Sequence, residues 1–260
     1  MNNNFKYLYN KIKPNIKINN KIFGKDTIVI AGPCTIHDEE SLLKIALNLK
    51  KLGVDILRGG AFKPRKDPYS FQGLEEKGLD ILINVKKLTG LPIITEITSL
   101  KFLEKYINDV DIIQVGSKNM YNYELLKALG KTNKPILLKR SMSATYEDWL
   151  LASEYILKEG NTNVILCERG IRTFEKDTRF TLDIQAIPFI KNHSKLPIIV
   201  DPSHASGHSY MIKPMTLAAL IAGADGVMIE VDDLDKAVCD LEQTVSINEL
   251  KEILKDIKKI

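Results

Sequence analysis

Eight short, β-branched apolar runs recur along this chain at intervals of roughly 20 to 40 residues, the spacing of repeated strand–helix units. They cover residues 27–34, 55–62, 92–97, 112–117, 135–140, 164–170, 197–204 and 226–231. Several are apolar at nearly every position, without the alternation of a half-exposed strand. Such strands are covered on both faces, as in a parallel sheet. Amphipathic patterns between them predict helices over 39–52, 79–89, 100–107, 123–129, 146–159, 179–192, 215–222 and 247–260. Gly53, Gly90, Gly130 and Gly160 stand where helices stop. Pro92, Pro135 and Pro197 open strands, where a missing N–H does little harm. The pattern predicts the α/β class and a (β/α)8 TIM barrel. A doubly wound open sheet is the structural alternative. No Gly-x-Gly-x-x-Gly follows any strand, so a dinucleotide-binding version has no support.

The 260 residues suit one α/β barrel domain. Residues 1–26 are expected to be an N-terminal extension and 27–260 the barrel. Within the extension, the weak alternation around Asn19 and Asn20 predicts a small β-hairpin capping the barrel bottom. A net charge of +4 is too mild to suggest nucleic-acid binding. Three widely spaced cysteines, Cys34, Cys167 and Cys239, argue against a disulfide framework and for a reducing compartment. No apolar run reaches the length of a membrane span, and the first residues lack a signal-peptide core. The expectation is a cytoplasmic protein with no membrane or nucleic-acid partner.

The stretch from Leu57 to Gly73 is the most strongly charged loop. Arg58, Lys63, Arg65 and Lys66 crowd together, spaced by Gly59, Gly60 and Pro64, with Pro68 close behind. Solvated charge runs usually lie on helices with good helix formers between them. Here glycine and proline shape the backbone instead. Close cations repel one another, so the loop is expected to receive a phosphate or a carboxylate.

In a TIM barrel, chemistry sits at the C-terminal ends of the strands. Two groups gather there. Cys34, His204, Glu230 and an aspartate from the last loop follow strands one, seven and eight, which are neighbours in a closed barrel. This mixed sulfur, nitrogen and oxygen set suits one divalent metal ion open to substrate, not a closed structural zinc. Arg58, Lys63, Arg65, Lys118, Lys139, Arg140, Arg169 and Arg172 form the second group. That many cations at one mouth suggest two anionic substrates, at least one a phosphate. Glu96 among them is either a base that positions water or the salt-bridge partner of an arginine.

Ordered motifs then resemble one family. They are Ala31-Gly32-Pro33-Cys34, Arg58 through Arg65, Pro68 through Gly73, Gln114-Val115-Gly116, Leu138-Lys139-Arg140, Cys167 through Thr173, Asp201 through Gly207 and Ile229-Glu230-Val231. The chain resembles the 3-deoxy-D-arabino-heptulosonate 7-phosphate (DAHP) synthases of the short type I branch, close to the 3-deoxy-octulosonate 8-phosphate synthases. The resemblance implies condensation of phosphoenolpyruvate with erythrose 4-phosphate, releasing phosphate, as the first step of the shikimate route. It implies Cys34, His204, Glu230 and Asp240 as ligands of one divalent ion: manganese, iron, zinc or cobalt. His204 also counts among the catalytic residues, with Lys63, Glu96 and Lys139. Arg58, Lys63, Lys139 and Arg169 match the phosphoenolpyruvate-binding cations. Lys63, Pro64 and Arg65 match the loop that grips erythrose 4-phosphate. Gly116, Ser117, Lys118 and Asp201 are implied to line the substrate surface, and Glu96 to position the water.

The chain departs from the family pattern at Lys66, Lys118, His208 and Asp232, and the loop from Glu230 to Asp240 is one residue shorter than usual. The alternative within the superfamily is an octulosonate synthase using arabinose 5-phosphate; Lys63-Pro64-Arg65 argues against it. A Schiff-base aldolase built on Lys139 and an inactive binding relative are the other readings. A homotetramer or homodimer is expected, insensitive to aromatic amino acids unless a separate protein regulates it.

Overall fold

A computed structural model describes residues 5, 6, 8, 14–63, 67, 69–234 and 240–260. Two very short strands, β1 (Lys17–Ile18) and β2 (Lys21–Ile22), form an antiparallel hairpin. Eight parallel strands then close into a barrel. They are β3 (Ile28–Gly32), β4 (Ile56–Arg58), β5 (Ile93–Glu96), β6 (Ile112–Val115), β7 (Ile136–Lys139), β8 (Val164–Glu168), β9 (Ile198–Val200) and β10 (Gly226–Glu230). Closure comes from β10 pairing with β3, Glu230 lying opposite Gly32 at the C-terminal end. The (β/α)8 barrel and its hairpin are therefore present as the sequence predicts, and the open sheet is excluded.

The helices are α1 (Glu39–Leu52), α2 (Glu75–Thr89), α3 (Leu100–Tyr106), α4 (Tyr123–Gly130), α5 (Tyr146–Lys158), α6 (Ala186–His193), α7 (Pro202–Ser206), α8 (Ser209–Ile221) and α9 (Ile247–Ile257). Local chemistry fixes their ends. Asp38 caps α1 by accepting from the Ser41 N–H, and Thr145 and Ser246 form reciprocal capping boxes with Asp148 and Glu249. Gly53 and Gly90 close α1 and α2 in left-handed conformations.

Four expectations need correction. Helix α2 starts at Glu75, four residues before the predicted start at Leu79. Helix α6 starts at Ala186, not at Arg179, because residues 179–181 run back along the barrel rim: Arg179 and Phe180 donate to Ser206 and Ala205 carbonyls, and Thr181 pairs with Ile171. The predicted helix from Met215 begins at Ser209 and is preceded by the short α7, which carries His204. Gly130 is the last residue of α4 rather than a stop beyond it; a Cβ there would meet the Ile156 carbonyl at 2.6 Å, so glycine lets α4 and α5 approach closely.

Strand parity explains the non-alternating runs. Ile28, Ile30, Ile56, Ile94, Ile112, Leu137, Ile165, Cys167, Ile199 and Met228 point inward and form one buried cluster. Ile16, Ile18 and Phe23 join it, so the hairpin region plugs the barrel's lower end. The alternate residues, such as Val29, Leu57, Ile113, Leu138 and Leu166, pack outward against the helices. Both faces are apolar because both are covered. Continuing the inward parity past the apolar layer leads directly to Arg58, Glu96, Gln114, Lys139, Arg169, Asp201 and Glu230.

Arg140 has the opposite parity and does not belong to the mouth. Its guanidinium donates to Glu168 at 2.9 Å, Asp183 at 2.8 Å and the Ala144 carbonyl at 3.0 Å, beneath the Tyr146 ring. Both Arg140 and Glu168 are buried. Burial pushes the Tyr146 hydroxyl up to about 12, reinforced by its bond to Asp183. Arg140→Leu should leave Glu168 buried without its cation. Loss of about 3–5 kcal/mol is expected, read as a lowered midpoint in denaturant unfolding. An unchanged midpoint would contradict the structural role.

Candidate active site

Three strand ends bring together three of the four residues expected as ligands. Cys34 follows β3, Glu230 ends β10, and His204 stands in the first turn of α7 after β9. One donor atom from each lies within 4.8 Å of the others. Asp201 caps α7 through the His204 N–H and takes a 2.7 Å contact with the ring Nδ1. That fixes the imidazole and aims Nε2 at Glu230 Oε1, 3.2 Å away. Ser203 Oγ accepts from the Glu230 N–H at 3.0 Å and holds the strand end to the same helix.

Asp240 lies beside this trio. Its Oδ2 is 3.2 Å from Cys34 Sγ, and Lys63 Nζ reaches both, at 2.6 Å from Asp240 and 2.8 Å from Cys34. The compact triple is thus Cys34, His204 and Glu230, with Asp240 and Lys63 on its open side. Burial opposes the charge of Asp240, but Lys63 outweighs it and holds the carboxyl well below its usual range. Burial likewise opposes Glu230, yet His204 and Arg58 keep it below the ordinary carboxylate value. Burial lowers the His204 imidazole despite Asp201 and Glu230, towards the neutral ring that can bind a metal; with that ring neutral, Arg58 is the cation that remains beside Glu230.

The donor set fits a divalent cation. Glu230 Oε1 is completely buried, 3.1 Å from Arg58 and 3.2 Å from His204, but aligned for a hydrogen bond with neither. Such an oxygen, beside a thiol and an oriented imidazole, is suited to a metal ion.

Next to the triple lies the cationic floor. Arg58, Lys139 and Arg169 are buried, and all border one cavity of about 120 Å³ with Cys34, Lys63, Glu96 and His204. Arg169 stacks over Phe180 at 4.4 Å, and one of its terminal nitrogens is buried without a hydrogen-bond partner. Burial lowers its pKa. A guanidinium that borders a cavity and holds a buried, unsatisfied nitrogen is suited to an anion. Lys139 donates to Asp201 at 2.5 Å, so Asp201 binds both Lys139 and His204. Fully buried behind them, Asp201 borders neither this cavity nor the wider one above. Its expected place on the substrate surface is corrected to one of support, because its oxygens are already engaged.

The wider cavity, about 520 Å³, opens above and is bordered by Lys63, Ser117, Lys118, Arg169, Arg172 and Arg179. Lys118 is exposed on its rim. Pro64, Arg65 and Lys66 lie outside the described residues. Cations on two levels are therefore present, with Arg140 removed from the set and Arg179 added. Arg179, Phe180 and Gln243 escaped sequence reasoning, as none follows a strand end directly.

Glu96 sits at the end of β5 with its carboxylate against Gly116. A Cβ on Gly116 would meet Glu96 Oε1 at 2.3 Å, so the glycine makes room for the carboxylate. Asn119 offers a long contact of 3.5 Å. Among the described residues Glu96 forms no ion pair within 4.0 Å. Burial raises its pKa, against the pull of Lys139. Gly116→Ala is expected to push Glu96 aside and lower turnover about as far as removing the carboxylate does, with unfolding little changed. Normal turnover in that variant would show that the Glu96 position is not needed.

Comparison with known proteins agrees with this arrangement. A sequence profile described as the DAHP synthetase I family matches residues 12–260. Phospho-2-dehydro-3-deoxyheptonate aldolase of Thermotoga maritima is 47% identical over 246 residues, spanning 94% of this chain and 72% of that protein. A 2-dehydro-3-deoxyphosphooctonate aldolase of Geobacter sulfurreducens is 29% identical over 260 residues, spanning 92% of this chain and 94% of its own. The crystal structure of DAHP synthase from T. maritima superimposes with a TM-score of 0.94 at 43% identity, covering 98% of this chain and 76% of that one. A truncated form of the same enzyme gives a TM-score of 0.89 at 40% identity, with 98% and 95% covered. With the barrel, the clustered strand ends and a profile match over residues 12–260 all in accord, the chain belongs to the DAHP synthetase I family.

Proposed function

We propose that this chain condenses phosphoenolpyruvate with erythrose 4-phosphate to give 3-deoxy-D-arabino-heptulosonate 7-phosphate and inorganic phosphate. The observation that carries the reading is the adjacency of two sites at one mouth. The Cys34–His204–Glu230 triple and the buried cations Arg58, Lys139 and Arg169 border the same cavity. One suits a polarisable carbonyl, the other a compact phosphate and carboxylate. The 47% identity to the heptonate aldolase, against 29% to the octonate aldolase, supports the four-carbon aldehyde.

In this reading Arg58, Lys139 and Arg169, with Lys63 at the edge, receive the phosphate and carboxylate of phosphoenolpyruvate. The second phosphate lies further out, towards Lys118 on the rim of the wider cavity; Pro64 and Arg65, matched to it by resemblance, lie outside the described residues. Cys34, His204, Glu230 and Asp240 hold a divalent ion, and the donor set accepts manganese, iron, zinc or cobalt. When bound, the ion supplies Lewis-acid polarisation of a carbonyl oxygen. The C=C pair of phosphoenolpyruvate forms the new C–C bond from its methylene carbon to the aldehyde carbon, the carbonyl π bond breaks towards the aldehyde oxygen, and that oxygen takes up a proton to become the product hydroxyl. Glu96 holds water against the carbon bearing the phosphate and takes its proton as the C–O bond forms. Lys139, between Asp201 and the cavity, anchors the phosphate and can relay a proton. The old C–O bond to phosphate then breaks, and inorganic phosphate leaves with the bridging oxygen.

Phosphoenolpyruvate labelled with ¹⁸O at the bridging position tests this chemistry. The label is expected in the released phosphate. Label retained in the sugar product would mean P–O cleavage and overturn the water's role; absence of any product would overturn the activity.

A further inference from the structure

Gln243 occupies the end of the 3-10 turn Leu241–Gln243, three residues beyond Asp240, and is buried. Its side-chain amide bridges two groups that cannot bond in the same sense. Nε2 donates to Glu230 Oε2 in a very short contact. Oε1 accepts from Arg179 at 2.6 Å. A carboxylate only accepts and a guanidinium only donates, so an amide with its oxygen towards Arg179 and its nitrogen towards Glu230 satisfies both. Reversing the amide would set like against like on both sides. Glu230 has two oxygens; Gln243 takes one and leaves Oε1 turned towards His204 and Arg58. Arg179 in turn borders the wide cavity of the mouth and lies 3.8 Å from Asp240 Oδ1.

We propose that Gln243 is a positioning residue for the metal centre: it locks Glu230 so that a single oxygen is offered to the ion, and Arg179 at the mouth locks Gln243. The proposal rests on the reading of Cys34, His204 and Glu230 as metal ligands. Without the amide, Glu230 could turn and offer both oxygens, or neither in register. Asp240 and Gln243 share one turn, so the bridge also ties the last-loop carboxylate to the strand-end one. The turn is closed by the Gln243 N–H on the Asp240 carbonyl at 3.2 Å.

The test uses cobalt(II) as probe on the full chain, read by its visible d–d bands and by its affinity in competition with a chelator. The wild type, Gln243→Leu, Gln243→Glu and Arg179→Leu are compared. Gln243→Leu is expected to weaken cobalt binding about 10–100-fold and to alter the bands, as loss of a partner behind a metal ligand does. Gln243→Glu keeps the shape but faces Glu230 with oxygen, so it should weaken binding similarly. Should the leucine variant fail to fold, the isosteric glutamate variant decides. Arg179→Leu should give a smaller loss of the same kind. Unchanged affinity and spectrum in a folded Gln243 variant would overturn the proposal. Failure of the wild type to bind cobalt would overturn the metal reading beneath it instead.

Discussion

Replacing Cys34 by alanine is expected to reduce turnover to background while the barrel stays folded. Cys34 is 8% exposed and sits at a strand end, outside the apolar layers that hold the barrel together. Its Sγ is within 4.8 Å of donor atoms from His204 and Glu230, so its loss opens one side of the ligand set. Metal retention should fall by more than the roughly 10–100-fold seen when only a supporting partner is removed. Metal content after gel filtration, turnover and far-ultraviolet circular dichroism are the measurements. Full activity with full metal content would refute the assignment of Cys34.

Glu96→Gln should lower kcat by about 10²–10⁴, the range for loss of a positioned general base. The KM for phosphoenolpyruvate should change little, because the anion-binding cations are untouched. A pH signature accompanies the effect. Burial raises the Glu96 pKa, and the active form is the carboxylate. Activity of the wild type should therefore fall on acidification from a point above the ordinary carboxylate range, and this limb should vanish in the variant. Stability should move the other way. A carboxyl whose pKa is raised by folding disfavours the folded state once ionised, so glutamine should leave unfolding at neutral pH unchanged or slightly harder. A variant that loses stability and keeps its kcat would show that Glu96 is structural.

Much of the fold was legible because both core layers are written in one period. Ile28 and Ile30 face in, Val29 and Ala31 face out, and the repeated runs mark every strand. The gathering of Cys34, His204 and Glu230 was legible for the same reason, since they lie at or just beyond strand ends. Arg140 was misplaced by counting cations near a strand end without following the pleat. One position after Lys139, it faces the helices and Glu168. Gly116, expected on the substrate surface, borders both cavities of the mouth, and it also clears space for Glu96. Arg179 and Gln243 could not be found this way. Each stands in a loop whose path depends on contacts with distant residues, such as the Arg179 N–H on the Ser206 carbonyl.

Phosphate release from phosphoenolpyruvate tests the central claim most directly. It should be followed with erythrose 4-phosphate, with arabinose 5-phosphate and with no aldehyde, before chelation, after it, and after restoring a divalent ion. The account predicts release that requires an aldehyde, favours erythrose 4-phosphate, disappears with the metal and returns with it. Preference for arabinose 5-phosphate, or undiminished turnover in protein verified to be metal-free, would contradict it.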